Sequence, residues 1–234
     1  MQIQFVHQPG ATAAKVELGE GEACTAEAGA MIAMTGNMKV ATTTRRRDQS
    51  GLRKAARRML SGESLFLNHF EPSEGGGDLW LGSALVGDMM EFELDDESLL
   101  VQGGSFVACG QGVGVDLGWQ GARTLLSGEN MFWVRLSGAG KVIVNAFGAI
   151  YPIEVEGEYV VDTRHIVAFD DSLDFRIGRA SKSWWHSFLG GEGLVCRFRG
   201  KGRVWCQSHN PESFGAALGP HLRERRVQRQ GDSP

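Results

Sequence analysis

Three Gly-Glu pairs are the residues whose type and recurrence most suggest chemistry. They lie in the phrases "LSGES", "LSGEN" and "LGGEG", at Gly62–Glu63, Gly128–Glu129 and Gly191–Glu192. A carboxylate can act as a general acid or base, and paired carboxylates can have well-separated pKa values. The residue after each glutamate differs, however, so no shared nucleophile accompanies the carboxylate. We therefore interpret the pairs as structural joints, whose carboxylates accept hydrogen bonds from backbone N–H groups or pair across a repeat boundary.

The six histidines show no spacing typical of a metal site, such as H-x-H or H-E-x-x-H. His165, in "VVDTRHIVAF", stands where we align Gly29 and Gly104 of two similar segments, and an aspartate three residues earlier could tune it. We expect a packed or surface histidine. The alternative is an enzyme that uses Glu129 or Glu192 with His165. The sequence predicts no catalytic residue, no metal ion and no cofactor.

The cysteines are widely spaced and favour a reducing compartment. Four are present, with no C-x-x-C pair and no apolar leader before them. No apolar run approaches the roughly 20 residues that a membrane-spanning helix needs. We expect a cytoplasmic protein whose thiols are inert and packed in strands.

Each Gly-Glu pair begins a longer pattern of two apolar, strand-like runs separated by a glycine-bearing turn. In one copy, "GENMFWVRL" passes through "GAG" to "KVIVNAF". Apolar runs bounded by glycine are typical of β-hairpins, because glycine supplies the backbone angles of tight turns. In each copy a second pattern lies before the Gly-Glu pattern, and it contains an alanine at the same aligned position. The segments in register are Leu79–Leu81, Val142–Val144 and Val204–Cys206 for the first pattern, and Ala33, Ala108 and Ala168 for the second.

These patterns divide the chain into three tandem repeats and predict an all-β fold of jelly-roll-like units. Repeat one spans 1–86 with an Arg-rich insertion at 42–60, repeat two spans 87–150, repeat three spans 151–215, and a polar tail spans 216–234. A unit this small buries little surface alone, so it should pack against its neighbours or against other chains.

The charge of the chain is unevenly distributed. The net charge is −4, yet residues 45–58 carry seven basic residues and one acid. The phrase "LRKAARRML" within them predicts a short basic amphipathic helix. It could bind an anionic membrane, bind nucleic-acid phosphates, or pack on the acidic body of this or a neighbouring subunit, which we favour. The candidate contacts to an anionic partner are Arg45, Arg46, Arg47, Arg53, Lys54, Arg57 and Arg58.

An aromatic cluster lies in "SKSWWHSFLG", where Trp184 and Trp185 precede Phe188. Aromatic residues are enriched in the cores of protein interfaces, so we expect this cluster at a subunit interface.

The ordered succession "AEAGAMIAMTGNM", "SGESLF", "VQGGSFVAC", "SGENMF", "VDTRHIVAF" and "GGEGLV" resembles the altered inheritance of mitochondria protein twenty-four family over about residues 3–208. The resemblance implies tandem short double-stranded β-helix units, similar to the tryptophan RNA-binding attenuation protein, in trimers that form pseudo-ninefold rings. It implies no catalytic residues, and it associates mitochondrial members with organisation of the inner membrane.

We therefore expect a non-enzymatic homotrimeric scaffold or assembly protein of uncharacterised role, able to lie peripherally at the inner membrane. The alternatives are a ring that binds a small ligand or RNA, and the enzyme described above. The acidic body argues against a nucleic-acid partner, and the sequence names no small-molecule ligand.

Overall fold

The computed structural model describes residues 1–43, 66–116, 132–179 and 194–222. Several residues singled out in the sequence lie outside this part of the chain. They are the joint residues Gly62, Glu63, Gly128, Glu129, Gly191 and Glu192, the basic residues Arg45, Arg46, Arg47, Arg53, Lys54, Arg57 and Arg58, and the aromatic residues Trp184, Trp185 and Phe188.

The described residues are mostly β-strand, which confirms the predicted all-β class. The strands are β1 Gln2–Val6, β2 Ala13–Leu18, β3 Cys24–Glu27, β4 Met31–Met34, β5 Met38–Thr43, β6 Leu67–Pro72, β7 Gly77–Leu81, β8 Met89–Gln102, β9 Phe106–Gly110, β10 Val113–Asp116, β11 Trp133–Asn145, β12 Ile150–Asp162, β13 Ile166–Asp170, β14 Asp174–Arg179 and β15 Leu194–Gln207. Within the described ranges one α-helix, α1, spans Pro211–Leu218, and short 3₁₀ turns span Gly103–Ser105, Thr163–His165 and Gly219–His221.

The strands form two antiparallel sheets. The smaller sheet has the order β1-β2-β7-β4. The larger sheet has the order β12-β15-β13-β8-β11-β9-β3-β6-β5, with β10 beside β11 and β14 beside β15. Both β4 and β12 therefore end a sheet within the described part of the chain.

The glycine-bearing segments of the second and third repeats are bends inside single strands. The hairpin prediction was therefore wrong there, since β11 runs unbroken through Gly138 and Gly140, and β15 through Gly200. All three glycines have positive φ, and the ladder between β11 and β8 shifts register at Gly138. A β-bulge at glycine lets a strand bend and continue in a new direction, whereas a hairpin would reverse it.

The aligned alanines occupy the same position in three strand pairs. Each lies opposite the middle residue of an aligned apolar trio. In each ladder the register skips the residue just before the alanine. The pairs are Ala33 with Trp80, Ala108 with Ile143, and Ala168 with Trp205.

Strands from neighbouring repeats, a word that denotes here the segments predicted from the sequence, pair directly and share their cores. Strand β9 of repeat two pairs with β3 of repeat one, and β13 of repeat three pairs with β8 of repeat two. One buried cluster accordingly packs Trp133 of repeat two against Phe169 of repeat three, with ring centroids 5.0 Å apart. Because fully burying a large apolar side chain stabilises a fold by roughly 1.5–3 kcal/mol, these shared clusters hold adjacent repeats together.

The two ends of repeat two meet at the close approach of Gly87 to Gly148. The two residues form a parallel bridge, in which the Asp88 N–H donates to the Gly148 carbonyl at 2.9 Å and the Gly148 N–H donates to the Val86 carbonyl at 3.1 Å. Repeat one joins the same site, since the Thr12 N–H donates to the Gly87 carbonyl at 3.0 Å. A Cβ atom at Gly87 would collide with the Ala146 carbonyl.

We predict that Gly87→Ala destabilises the protein by about 2–3 kcal/mol, because the added methyl group must push two backbone segments apart. Urea unfolding followed by circular dichroism measures the loss. The matched control is Gly178→Ala in β14, where an added Cβ has no neighbour within 4 Å. Equal stability of the two variants would contradict the tight approach at Gly87.

Candidate functional site

The most connected polar group lies where β12 and β15 end and α1 begins. This group, the His165 cluster, consists of Asp162, Arg164, His165, Gln207 and Asn210. Asp162 ends β12, and the 3₁₀ turn that follows carries Arg164 and His165. Gln207 ends β15, and Asn210 caps α1.

Asp162 and Arg164 form a local, two-pronged ion pair. The Arg164 side chain donates to the two Asp162 carboxylate oxygens, from Nε at 3.0 Å and from Nη2 at 2.6 Å, and its backbone N–H donates to Oδ1 at 2.9 Å. Burial raises the pKa of Asp162, but the hydrogen bonds from Arg164 outweigh it and hold that pKa below its ordinary value. An aspartate at the start of a short helix commonly accepts such a backbone bond, so this pair stabilises the turn.

His165 has both ring nitrogens in hydrogen bonds. Nδ1 lies 2.8 Å from the Gln207 carbonyl oxygen, which can only accept, so Nδ1 carries the proton. Nε2 lies 3.1 Å from the Asn210 side-chain nitrogen, whose partner oxygen accepts the Ser213 N–H at 2.7 Å, so Nε2 accepts. The histidine is therefore a neutral link between the 3₁₀ turn and α1. This arrangement agrees with the expectation of a packed histidine.

The structural register corrects the alignment of His165. Both His165 and Ser105 are the last residue of a 3₁₀ turn, and each precedes its aligned alanine by three residues. His165 therefore corresponds to Ser105 and not to Gly104. Ser105 is buried, whereas the larger histidine fits in repeat three because it reaches the C-terminal segment that only this repeat carries.

Glu27, at the end of β3, has a perturbed carboxyl group that the sequence did not single out. It corresponds in register to Gln102 and Asp162, since each precedes its aligned alanine by six residues. Desolvation raises the pKa of Glu27 to about 7. Its carboxyl makes no hydrogen bond to another residue in the described ranges, whereas Asp162 has Arg164. A carboxyl group with such a pKa changes its charge near neutral pH, so the ionisation of Glu27 should affect the stability of the fold there.

The four thiols are all buried and unpaired. Burial raises the pKa of Cys24, Cys109, Cys196 and Cys206 to about 12. A reactive cysteine needs a lowered pKa and exposure, so these thiols serve as small apolar core groups.

An open cleft of about 260 Å³ lies between repeats one and two, lined in part by Glu22, Gly110 and Lys141. Three of the charged groups that line it, at Met1, Glu22 and Lys141, are already paired. The N-terminal ammonium of Met1 pairs with Glu22, and Lys141 Nζ lies 2.7 Å from Glu91 Oε1. Among the described residues, no group of three or more histidine, cysteine, aspartate or glutamate side chains could hold a metal ion.

Exposed apolar side chains distinguish strand β4 from its counterparts. The exposed fractions of Met31, Ile32 and Met34 are 41%, 59% and 38%. The corresponding β9 and β13 are buried almost throughout. Two further exposed apolar groups occur, at Tyr159 and Val160 of β12 and along α1.

The described residues define an all-β protein in which strands from successive parts of the chain share sheets and cores. Residues 3–209 match the model of the family described as mitochondrial biogenesis AIM24, and the chain belongs to that family.

Two relatives come from Streptococcus pyogenes. An uncharacterised protein of serotype M6 is 29% identical over 215 residues, which cover 89% of this chain and 86% of the relative. The X-ray crystal structure of another protein of that species has a TM-score of 0.77 and 27% identity, covering 94% of this chain and 99% of the solved chain. Among the described residues, no helix is long and apolar enough to cross a membrane.

Of the residues singled out for chemistry in the sequence, the structure describes His165 and leaves its proposed partners Glu129 and Glu192 outside the described ranges. It brings His165 together with Gln207 and Asn210, which the sequence did not single out. The alignment of the repeats could have drawn attention to Glu27, because this position holds a carboxyl group in repeat one and the amide of Gln102 in repeat two. Its desolvation, however, depends on tertiary packing.

We predict that Glu27→Gln stabilises the protein at neutral and alkaline pH. The folded-state pKa of about 7 lies above the ordinary value of 4.5, so ionisation costs more in the folded than in the unfolded state. The cost is absent below pH 4.5, grows between pH 4.5 and 7, and is complete above pH 7. Removing it should raise the free energy of unfolding by about 1–3 kcal/mol at pH 8 and leave it nearly unchanged at pH 4.5.

Urea unfolding of both proteins from pH 4.5 to 8 checks this prediction. Glu154→Gln, at an exposed position of β12, controls for the loss of one negative charge. A pH-independent difference between Glu27→Gln and the original protein would contradict the desolvated carboxyl group.

Proposed function

We propose that this protein is a non-enzymatic scaffold, built of three tandem jelly-roll-like units, that assembles as a homotrimer and lies on a membrane surface. The observation that carries the proposal is the contrast between β4 and its counterparts. Strands β9 and β13 are covered because each pairs with the preceding repeat, whereas β4 has no preceding repeat in the described chain. A scaffold subunit needs such a surface for its neighbours.

The tandem-unit arrangement is supported by the three equivalent alanine pairings. The Gly87–Gly148 bridge, which joins the two ends of unit two, agrees with the bounds of that unit. The non-enzymatic role is supported by the His165 cluster. Its polar atoms bond to one another and to the backbone, and so hold α1 to the sheet.

Contact with a membrane is favoured by the apolar side chains of the C-terminal segment. Phe214, Leu218 and Leu222 are four residues apart and all exposed. Four residues is about one helical turn, so Phe214 and Leu218 lie on one face of α1. The sequence adds positive charge beyond this segment, with arginines at 223, 225, 226 and 229, and in the Arg-rich insertion. Apolar contact combined with basic residues is typical of proteins that bind anionic lipid surfaces.

Light scattering coupled to size-exclusion chromatography tests the trimer. We expect the mass of three chains, stable over a tenfold dilution, because an assembly that buries apolar strand edges should dissociate slowly. A mass of one chain at all concentrations would refute the trimeric scaffold.

Flotation with vesicles tests the membrane contact separately. We expect binding to vesicles containing phosphatidylglycerol, and a loss of roughly a hundredfold or more in the double variant Leu218→Glu, Leu222→Glu, because each leucine contributes about 1.5–3 kcal/mol when fully buried. Val40→Glu, which changes an exposed valine of β5, is the control. A protein that does not float, or variants that float equally, would refute the membrane contact and leave the trimer standing.

A further inference from the structure

We propose that copies of this chain join head to tail, by antiparallel pairing of β4 in one copy with the Tyr159–Val161 end of β12 in the next. The inference rests on the proposed assembly and specifies its interface. It commits to one partner, a second copy of this chain.

The register of this pairing comes from the two junctions inside the chain. Between repeats one and two, Ala108 lies opposite Ala26 and Cys109 opposite Thr25. Between repeats two and three, Ala168 lies opposite Val101 and Phe169 opposite Leu100. Both junctions are antiparallel and follow one rule. The aligned alanine of one repeat pairs with a residue of the previous repeat. That residue lies seven positions before the previous repeat's own aligned alanine.

The same rule leaves two strands, β4 and the Tyr159–Val161 end of β12, without the neighbour that their counterparts have. Ala33 of repeat one lies on β4, which pairs with β7 alone among the described strands. Val161 of repeat three, seven positions before Ala168, lies on β12, which pairs with β15 alone among the described strands. Applied between two copies, the rule pairs Ala33 with Val161, Met34 with Val160, and Thr35 with Tyr159.

Both strands are free to pair. Strand β4 bonds only to β7 and ends its sheet, and β12 bonds only to β15 and ends the other sheet, among the strands of the described residues. An unpaired strand edge presents a row of backbone donors and acceptors that another strand can satisfy. Neither Met31–Met34 nor Tyr159–Val161 contains a proline or a charged residue, which are the common protections of an exposed edge.

The burial pattern supports the same partner. Tyr159 and Val160 are each 44% exposed, whereas their counterparts Leu99 and Leu100 in β8 are 3% and 1% exposed, because β13 covers them. On the other edge, Met34 is exposed, whereas its counterparts Cys109 and Phe169 are fully buried. Pairing β4 with β12 would give both edges the environment that the same positions already have inside the chain.

The pairing is heterologous, since two different edges meet, and each copy keeps one free edge of each kind. Such contacts close into a ring when the rotation between copies permits, and three copies would join nine repeats. The joined sheet would run β14-β15-β12 in one copy and β4-β7-β2-β1 in the next, which continues the order found at the internal junctions.

A pair of introduced cysteines tests the register. In Met34→Cys, Val160→Cys the two thiols of neighbouring copies lie directly opposite, where antiparallel Cα atoms about 4.5–5.5 Å apart suit a disulfide. We expect covalent dimers and trimers on a non-reducing gel after mild oxidation, which return to single chains on reduction. The four native cysteines are buried and should not contribute.

The matched control is Met34→Cys, Tyr159→Cys. A shift of one residue turns the second thiol to the opposite face of the sheet, so we expect at least about tenfold less cross-linked product. Equal cross-linking of the two variants would overturn the register. A trimer by light scattering with no cross-linking in the Met34–Val160 variant would overturn the register and leave the proposed scaffold intact. A single-chain mass for the unmodified protein would overturn both.

A charge placed on the edge gives a second measurement that does not depend on disulfide formation. Val160→Lys should weaken assembly by at least about tenfold in dissociation constant, equivalent to roughly 1.4 kcal/mol. Val40→Lys is its control, because Val40 is also a strand valine and is 45% exposed against 44% for Val160. Unchanged assembly of Val160→Lys would overturn the interface, provided that both variants retain the circular dichroism spectrum of the unmodified protein.

Discussion

The antiparallel pairing of one repeat with the next is the interaction on which the rest of this structure depends. Strand β9 bonds to β3, and β13 bonds to β8, so the sheets continue from repeat to repeat. Because the pairing removes β9 and β13 from water, the apolar residues of those strands become core, and each buried cluster includes residues of more than one repeat. A repeat alone would lack both the paired edge and part of its cluster.

Glycine makes this arrangement possible at two kinds of position. Inside β11 and β15, Gly138 and Gly200 take positive φ, and on one side of each strand the partner changes between its two halves. The change is from β10 to β9 along β11 and from β14 to β13 along β15. At the repeat boundaries, Gly87 and Gly148 let two backbones approach closely enough to hydrogen bond. The bends inside the strands depend on the wider range of φ that glycine can adopt. The close approach of the two backbones depends on the absence of a side chain.

The polar residues make a contrasting contribution. The His165 cluster uses its hydrogen bonds to hold α1 against the end of β15, and the Asp162–Arg164 pair stabilises the turn beside it. Glu27 occupies the position of Asp162 in repeat one without an arginine partner, and its pKa of about 7 reflects desolvation alone. The same repeat position thus carries an ion pair at Asp162 in repeat three and an unpaired carboxyl group at Glu27 in repeat one. The difference arises because the neighbouring residues, not the repeat itself, supply the partner.

The sequence by itself determined the all-β class, the alignment of Ala33, Ala108 and Ala168, and the inert character of the cysteines, because these depend on the local order of apolar residues and glycines. It could not distinguish a hairpin from a bulge at Gly138, since both need glycine and differ only in which strands lie beside it. The partners of His165 were also hidden, because Gln207 and Asn210 lie more than 40 residues away in the chain. Only the tertiary structure decided that β4 and the end of β12 each keep one edge without a partner strand among the described residues. Equivalent residues in the sequence are buried or exposed according to whether a neighbouring repeat is present to cover them.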